Sequence, residues 1–213
     1  MKCGKDIANL QYITQPIAGL STIDQVKEMC LAGVKWIQLR LKDADEFVWE
    51  QEAIEVWEVC QDYGVTFIIN DNVEVAKRVM ADGVHLGKED MKPSEARKIL
   101  GNEAIIGGTA NSFQDILTLQ KEGIDYIGLG PFRQTETKKK LSPILGIDGY
   151  ENIIAKCRQA NVTIPIVGVG GIALEDIKLL RKSGLHGVAV SGLLAKAKNK
   201  KELVSAMYAE LKI

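Results

Sequence analysis

The sequence predicts an α/β fold, a single-domain (β/α)8 TIM barrel spanning residues 1–213. Three observations carry that prediction. Eight short apolar runs rich in Val and Ile recur along the chain, amphipathic stretches lie between them, and glycines punctuate the ends of those stretches. Short runs of this kind suit parallel strands buried on both faces. The repeat is roughly 25 residues, the size of one βα unit. Eight such units fill 213 residues, near the lower size limit of about 200 for this barrel. A doubly wound open sheet fits less well, because nothing is left over for a second domain and no GxGxxG turn follows the first strand.

The elements follow in order. Tyr12-Ile13 is the first strand; Ser21 and Asp24 then form a capping box, in which a hydroxyl satisfies an orphan helix N–H, and Gly33 stops the helix. Trp36 to Leu39 is the second strand. Its helix carries Trp49 and Trp57 on one amphipathic face, read as packing, and stops at Gly64. Phe67 to Ile69 is the third, followed by a helical stretch from Asn72 and a stop at Gly83. Val84 to Leu86 is the fourth; Pro93 opens the next helix, where a first-turn proline forfeits no hydrogen bond, and Gly101 closes it. Ile105-Ile106 is the fifth, with a capping box at Ser112 and Asp115 and a stop at Gly123. Tyr126 to Leu129 is the sixth, and Asn161 takes the place of a stop glycine after the next helix. Ile166 to Val169, Gly184, Val188 to Val190, and the cap Asn199 with Glu202 complete the series.

Composition narrows the function classes. Lys and Arg number 27 against 28 Asp and Glu, a net charge of −1, which argues against a nucleic-acid-binding module. No apolar run approaches the roughly 20 residues of a membrane helix. The amino terminus has no apolar stretch before Leu10, so no secretory signal is expected. Cys3, Cys30, Cys60 and Cys157 are scattered, with no CxxC or Cys/His cluster for zinc and no disulfide framework. A cytoplasmic protein is expected.

In a barrel, chemistry sits at the carboxyl ends of the strands, and polar residues gather there. The strand ends carry Gln38, Arg40 and Lys42; Asn70 and Asp71; His85 and Asp90; Thr109; Arg133 to Lys138; Gly170-Gly171; and Ser191-Gly192. Glycines after the seventh and eighth strands read as a phosphate cradle of bare N–H groups rather than as turns alone. Asp71 and Asp90 could each cap a helix. Facing Arg40 and Lys42, they read better as Mg²⁺ ligands, because magnesium is held by one or two carboxylates plus substrate phosphates. The stretch from Pro131 to Leu145 lacks apolar periodicity and reads either as an active-site lid or as mobile surface. His85 reads as a barrel-lining residue, His186 as surface, and the cysteines as filler.

The ordered set Gln38-Leu39-Arg40…Lys42, Ile69-Asn70-Asp71, Gly83-Val84-His85-Leu86-Gly87…Asp90, Gly128-Leu129-Gly130-Pro131, Thr135-Glu136-Thr137-Lys138-Lys139 and Val167-Gly168-Val169-Gly170-Gly171-Ile172 resembles the thiamine-phosphate synthase family. The resemblance implies a (β/α)8 barrel that joins 4-amino-5-hydroxymethyl-2-methylpyrimidine diphosphate to thiazole phosphate, with one Mg²⁺ per subunit. Matched position by position, Gln38, Arg40, Lys42, Asn70, Thr109 and Lys138 fall on contacts to the pyrimidine diphosphate. Asp71 and Asp90 fall on the magnesium carboxylates. Thr135, Glu136 and Thr137 fall on the segment that holds the thiazole phosphate, and Gly170, Val190 and Ser191 on the cradle for its phosphate group. Arg40, Lys42 and Lys138 are then the catalytic cations.

Asn72, Leu41 and Asn111 depart from the family's usual residues. A thiazole tautomerase-like barrel generally lacks the paired carboxylates and the Thr-Glu-Thr-Lys loop, and a silent precursor-binding regulator has little reason to keep Asp71, Asp90 and Lys138. The implied partners are small-molecule substrates, with no nucleic acid and no membrane; a homo-oligomer is compatible with the chain.

Overall fold

A computed structural model describes residues 5–41, 45–134 and 143–212. Its strands are β1 (Leu10–Ile13), β2 (Trp36–Leu39), β3 (Thr66–Asn70), β4 (Gly83–Leu86), β5 (Ile105–Ala110), β6 (Tyr126–Leu129), β7 (Ile166–Val169) and β8 (Gly187–Val190). The helices are α1 (Thr22–Ala32), α2 (Glu46–Tyr63), α3 (Val73–Arg78), α4 (Pro93–Leu100), α5 (Phe113–Lys121), α6 (Gly146–Gln159), α7 (Leu174–Ser183), α8 (Gly192–Ala195) and α9 (Lys200–Leu211). The strands close in sequence order into a barrel, and all eight pairings are parallel. Leu10 opposite Val188 and Tyr12 opposite Val190 close the ring.

Local chemistry explains the boundaries. Ser21, Ser112 and Asn199 side chains accept the N–H of the residue three positions on, at 3.1, 3.2 and 3.2 Å. Gly33, Gly64 and Gly184 end α1, α2 and α7 in the left-handed conformation, and Asn161 adopts it after α6 with φ 54. Gly83 departs from the expected stop. It opens β4, and α3 has already ended at Arg78. A Cβ on Gly83 would lie 1.9 Å from the carbonyl oxygen of Ile105, so the glycine admits the neighbouring strand.

The side-chain alternation of the strands separates two cores. Outward residues such as Leu10, Ile37, Leu39, Phe67, Ile69, Val84 and Ile106 pack under the helices. Trp36, Ile68, Ile105, Tyr126, Val167 and Ala189 fill the barrel with Ile7. At its amino end, Asp125 accepts from Lys5 Nζ at 2.9 Å, Arg97 Nη2 at 2.6 Å and Ile106 N at 2.7 Å. His186 is half-buried there, its Nε2 2.5 Å from the Ile7 carbonyl, rather than lying on the surface as its sequence position suggests. Trp49 and Trp57 do pack against the outer core. Among the described residues, no helix is long and apolar enough to cross a membrane.

Gly83→Ala is expected to destabilise the barrel by about 3 kcal/mol, because its Cβ meets backbone that cannot step aside. Gly33→Ala meets open space and bears only the positive φ of 98, costing about 1 kcal/mol. Urea unfolding of the two variants measures the difference; equal losses contradict the steric account.

Candidate active site

The third and fourth strand ends bring two carboxylates together. Asn72, not Asp71, caps α3, its Oδ1 accepting Val75 N at 3.0 Å. Lys92 occupies the N-cap of α4, while Asp90 accepts Gly87 N at 2.6 Å. Neither aspartate caps a helix. Asp71 sits at φ 65, in the left-handed region that Asp tolerates better than most residues, and its N–H donates to the His85 carbonyl at 2.8 Å.

The carboxyls of Asp71 and Asp90 lie close enough for each to oppose the other's ionisation. Partial desolvation raises the Asp71 pKa to about 7, Asp90 adds to that rise, and Arg40 and Asn70 oppose it. Arg40 is itself lowered by burial, with Asp71 working against that shift. Thr14, buried at the end of β1, fixes the start of this cationic arm by accepting Arg40 N at 2.8 Å.

These donors suit magnesium. They are hard carboxylate oxygens whose partial desolvation and mutual repulsion oppose ionisation, and a divalent cation would offset both. Among the described residues no group of three or more His, Cys, Asp or Glu is placed for a metal. A cation on the two aspartates would therefore keep positions for substrate oxygens.

Below the mouth, inward side chains form a polar chain. Gln38 Nε2 lies 3.2 Å from Gln11 Oε1, and Gln11 Nε2 lies 3.4 Å from Tyr126 OH. Tyr126 OH is 2.9 Å from His85 Nδ1, and His85 Nε2 is 3.0 Å from Thr109 Oγ1.

A third cluster forms beyond β7 and β8. Gly170 and Gly171 have φ 91 and 68, and a Cβ on either would meet Pro131 or Arg133 within 3 Å. The loop after β6 lies against them, with Phe132 N donating to Val169 O and Arg133 N to Gly170 O, both at 2.9 Å. The Arg133 guanidinium grips both Asp176 oxygens and donates to Gly171 O at 3.1 Å. Asp176 in turn accepts Ala173 N at 2.8 Å ahead of α7. Ser191 follows β8, and its buried Oγ has no hydrogen-bond partner among the described residues. Gly192 beside it faces open space, with only Gln15 Nε2 within 4 Å of a Cβ there.

Of the residues singled out in the sequence, Gln38, Arg40, Asn70, Asp71, Asp90, Thr109, Gly170, Val190 and Ser191 thus gather at one end of the barrel. Lys42, Thr135, Glu136, Thr137 and Lys138 lie outside the described residues, as does most of the stretch proposed as a lid. Sequence reasoning missed Gln11, Thr14, Tyr126 and Asp176. Gln11 alone carried a signal, a polar residue inside an apolar run. Asn111, a departure from the family pattern, ties two strand ends by donating from Nδ2 to the Gly130 carbonyl. A separate cavity of about 610 Å³, lined by Ile17, Leu20, Ile23, Phe47 and Val48, lies between the β1–α1 loop and α2. Among the described residues its lining carries no Lys or Arg, and Glu52 and Glu55 at its edge would repel a diphosphate.

A family profile described as thiamine monophosphate synthase matches residues 10–194. A Phocaeicola vulgatus protein named thiamine-phosphate synthase is 51% identical over 190 residues, covering 89% of this chain and 91% of its own. A Flavobacterium johnsoniae protein of the same name is 47% identical over 208 residues, covering 95% of each chain. The solved thiamine phosphate pyrophosphorylase from Pyrococcus furiosus superposes with a TM-score of 0.83 at 28% identity, covering 96% of this chain and 95% of that one.

The raised Asp71 pKa has a consequence for stability. The folded protein holds this proton from the ordinary value of 3.8 up to about 7, so metal-free stability falls as pH rises through that window. Asp71→Asn keeps a residue that tolerates the positive φ and removes the charge. It is expected to match the original at pH 4 and exceed it at pH 8 by up to about 1 kcal/mol, or roughly 3 °C in Tm, because water screens the part-exposed carboxylate. Thermal melts in chelator across pH test this; a pH-independent difference contradicts it.

Proposed function

The chain belongs to the thiamine monophosphate synthase family, and from that premise we propose how its barrel mouth performs the family's reaction. The protein is a transferase of thiamine biosynthesis. It joins 4-amino-5-hydroxymethyl-2-methylpyrimidine diphosphate to thiazole phosphate, giving thiamine phosphate and pyrophosphate. The observation that carries our assignment of the site is the presence of two separate anion-handling centres at one barrel end. One is the Asp71–Asp90 pair with Arg40; the other is the Gly170-Gly171 turn with the unpartnered Ser191 hydroxyl. A reaction between a diphosphate and a monophosphate needs both.

Gln38, Arg40, Asn70 and Thr109 take the pyrimidine diphosphate, with Lys42 and Lys138 as further cations. Asp71 and Asp90 would hold one magnesium ion, which when bound supplies positive charge to the diphosphate oxygens. Arg40, held half-buried by Thr14 and Asp71, presents preorganised charge where negative charge develops on the leaving group. The bond from the pyrimidine methylene to the diphosphate oxygen breaks, and the electron pair leaves with pyrophosphate. The electron-rich aminopyrimidine supports the resulting methylene cation, and the thiazole nitrogen lone pair then closes the new C–N bond. That nitrogen carries no proton, so no general base is needed.

Gly170, Val190 and Ser191 cradle the thiazole phosphate, with Thr135, Glu136 and Thr137 above it. The Arg133–Asp176 clasp holds the glycine turn in place. The free thiols Cys30, Cys60 and Cys157 suit the reducing cytoplasm.

The decisive experiment incubates the purified protein with both substrates, with and without Mg²⁺, and follows thiamine phosphate. Asp71→Ala and Asp90→Ala are each expected to lose about a hundredfold in kcat while circular dichroism shows an intact fold. Near-normal turnover of either variant at limiting Mg²⁺ overturns the metal assignment. Arg133→Ala is expected to raise KM for thiazole phosphate about tenfold and to leave KM for the pyrimidine diphosphate within about twofold. An equal rise for both substrates removes the clasp from the phosphate site.

A further inference from the structure

Five inward side chains from five strands or strand ends form one unbroken hydrogen-bonded chain across the barrel interior, and the reaction as derived above leaves most of it unexplained. Gln38, Gln11 and Tyr126 are 2, 1 and 0% exposed. The backbone makes room for it. A Cβ on Gly107 would lie 2.2 Å from Tyr126 Cζ, and one on Gly128 would lie 3.0 Å from His85 Cε1. The Tyr126 ring is held edge-on by Trp36, with ring centres 4.7 Å apart at 76°. Glycines placed to admit a phenol and an imidazole into an otherwise largely apolar barrel interior mark an arrangement that packing alone does not require.

The donors and acceptors set a direction. Gln38 Nε2 donates to Gln11 Oε1, which leaves Gln11 Nε2 to donate to Tyr126 OH. Burial keeps this phenol protonated, since its pKa is pushed well above the ordinary tyrosine value. With its oxygen already accepting, the phenol has one proton to give, and His85 Nδ1 lies 2.9 Å away to take it as a hydrogen bond. An accepting Nδ1 places the imidazole proton on Nε2, which then donates to Thr109 Oγ1 at 3.0 Å. The Thr109 hydroxyl, with one lone pair taken by that bond, keeps its own proton to donate elsewhere.

We propose that Tyr126 and His85 are positioning residues whose one-way relay holds His85 as the neutral Nε2–H tautomer and biases Thr109 to act as a hydrogen-bond donor to a ring nitrogen of the pyrimidine substrate. The identity of that ligand rests on the functional reading above; the direction of the relay does not. A fixed donor selects a heteroaromatic ring that presents an unprotonated nitrogen. It disfavours the corresponding oxo ring, whose equivalent nitrogen carries a proton and would set donor against donor.

The test has one arm without substrate and one with it. In ¹⁵N-labelled ligand-free protein, His85 is expected to show a pyrrole-type Nε2 bearing its proton and a pyridine-type Nδ1. The His85→Gln variant assigns the signals against those of His186. Tyr126→Phe keeps the ring and loses the proton donor, so its His85 signals are expected to move toward a mixture of tautomers. The opposite tautomer, or a doubly protonated ring, overturns the relay whether or not the protein is active. Addition of the pyrimidine diphosphate is expected to shift the His85 Nε2–H signal, and an unmoved signal overturns the ligand half.

In turnover, Tyr126→Phe is expected to raise KM for the pyrimidine diphosphate about five- to tenfold, the worth of one hydrogen bond, with KM for thiazole phosphate unchanged. His85→Gln, which keeps an amide donor for Thr109, is expected to retain more activity than His85→Leu. Equal losses in those two variants, or equal effects on both KM values, assign the network to stability alone. A wild-type protein that forms no thiamine phosphate while His85 shows the expected tautomer overturns the functional reading and leaves the relay standing.

Discussion

In a closed ring of eight parallel strands, each strand is hydrogen bonded on both sides and its side chains have only two directions, outward to the helices or inward to the barrel. The outward half is apolar and forms the larger core. The inward half divides along the axis. Toward the amino ends it is Trp36, Ile68, Ile105, Tyr126 and Val167. Farther along the same strands it becomes Gln38, Asn70, His85 and Thr109. One alternation therefore supplies both the plug that stabilises the barrel and the polar floor of the site.

Burying polar groups in that floor is tolerable only if they are paired, since an unpaired donor or acceptor costs about 1–3 kcal/mol. The chain from Gln38 to Thr109 satisfies this requirement within the protein. The mouth does not. Asp71 and Asp90 oppose each other's ionisation, and the buried Ser191 hydroxyl has no hydrogen-bond partner among the described residues. Strain of this kind concentrates at functional sites because a ligand resolves it. In the proposed reading the two places take opposite charges, a cation at the aspartates and an anion at the glycine turn. That division matches a reaction in which one diphosphate leaves and one monophosphate stays bound.

The glycines have different physical tasks that look identical in the sequence. Gly33, Gly64 and Gly184 reverse the chain after helices with a left-handed turn. Gly83 and Gly107 are there because neighbouring atoms occupy the space of a Cβ. Gly170 and Gly171 meet both conditions at once. That combination explains how the β6 loop can press against the Gly170-Gly171 turn and be clasped there by Arg133 and Asp176.

The strand and helix order, the barrel, and the strand-end positions of Gln38, Asn70, Asp71, Asp90, Thr109 and Ser191 were legible in the sequence, because each follows from local rules. Apolar runs mark strands, Ser and Asn mark caps, and alternation assigns faces over a few residues. The task of Gly83, the half-burial of His186, and the functions of Gln11, Thr14, Tyr126 and Asp176 were not legible. Each depends on an atom brought close from far along the chain: Ile105 for Gly83, Ile7 for His186, Arg40 for Thr14, His85 for Tyr126 and Arg133 for Asp176. Sequence by itself determined which residues could reach the mouth of the barrel. Only closure of the barrel decided which of them touch, because such contacts join residues as far as 179 positions apart, where no periodicity carries information.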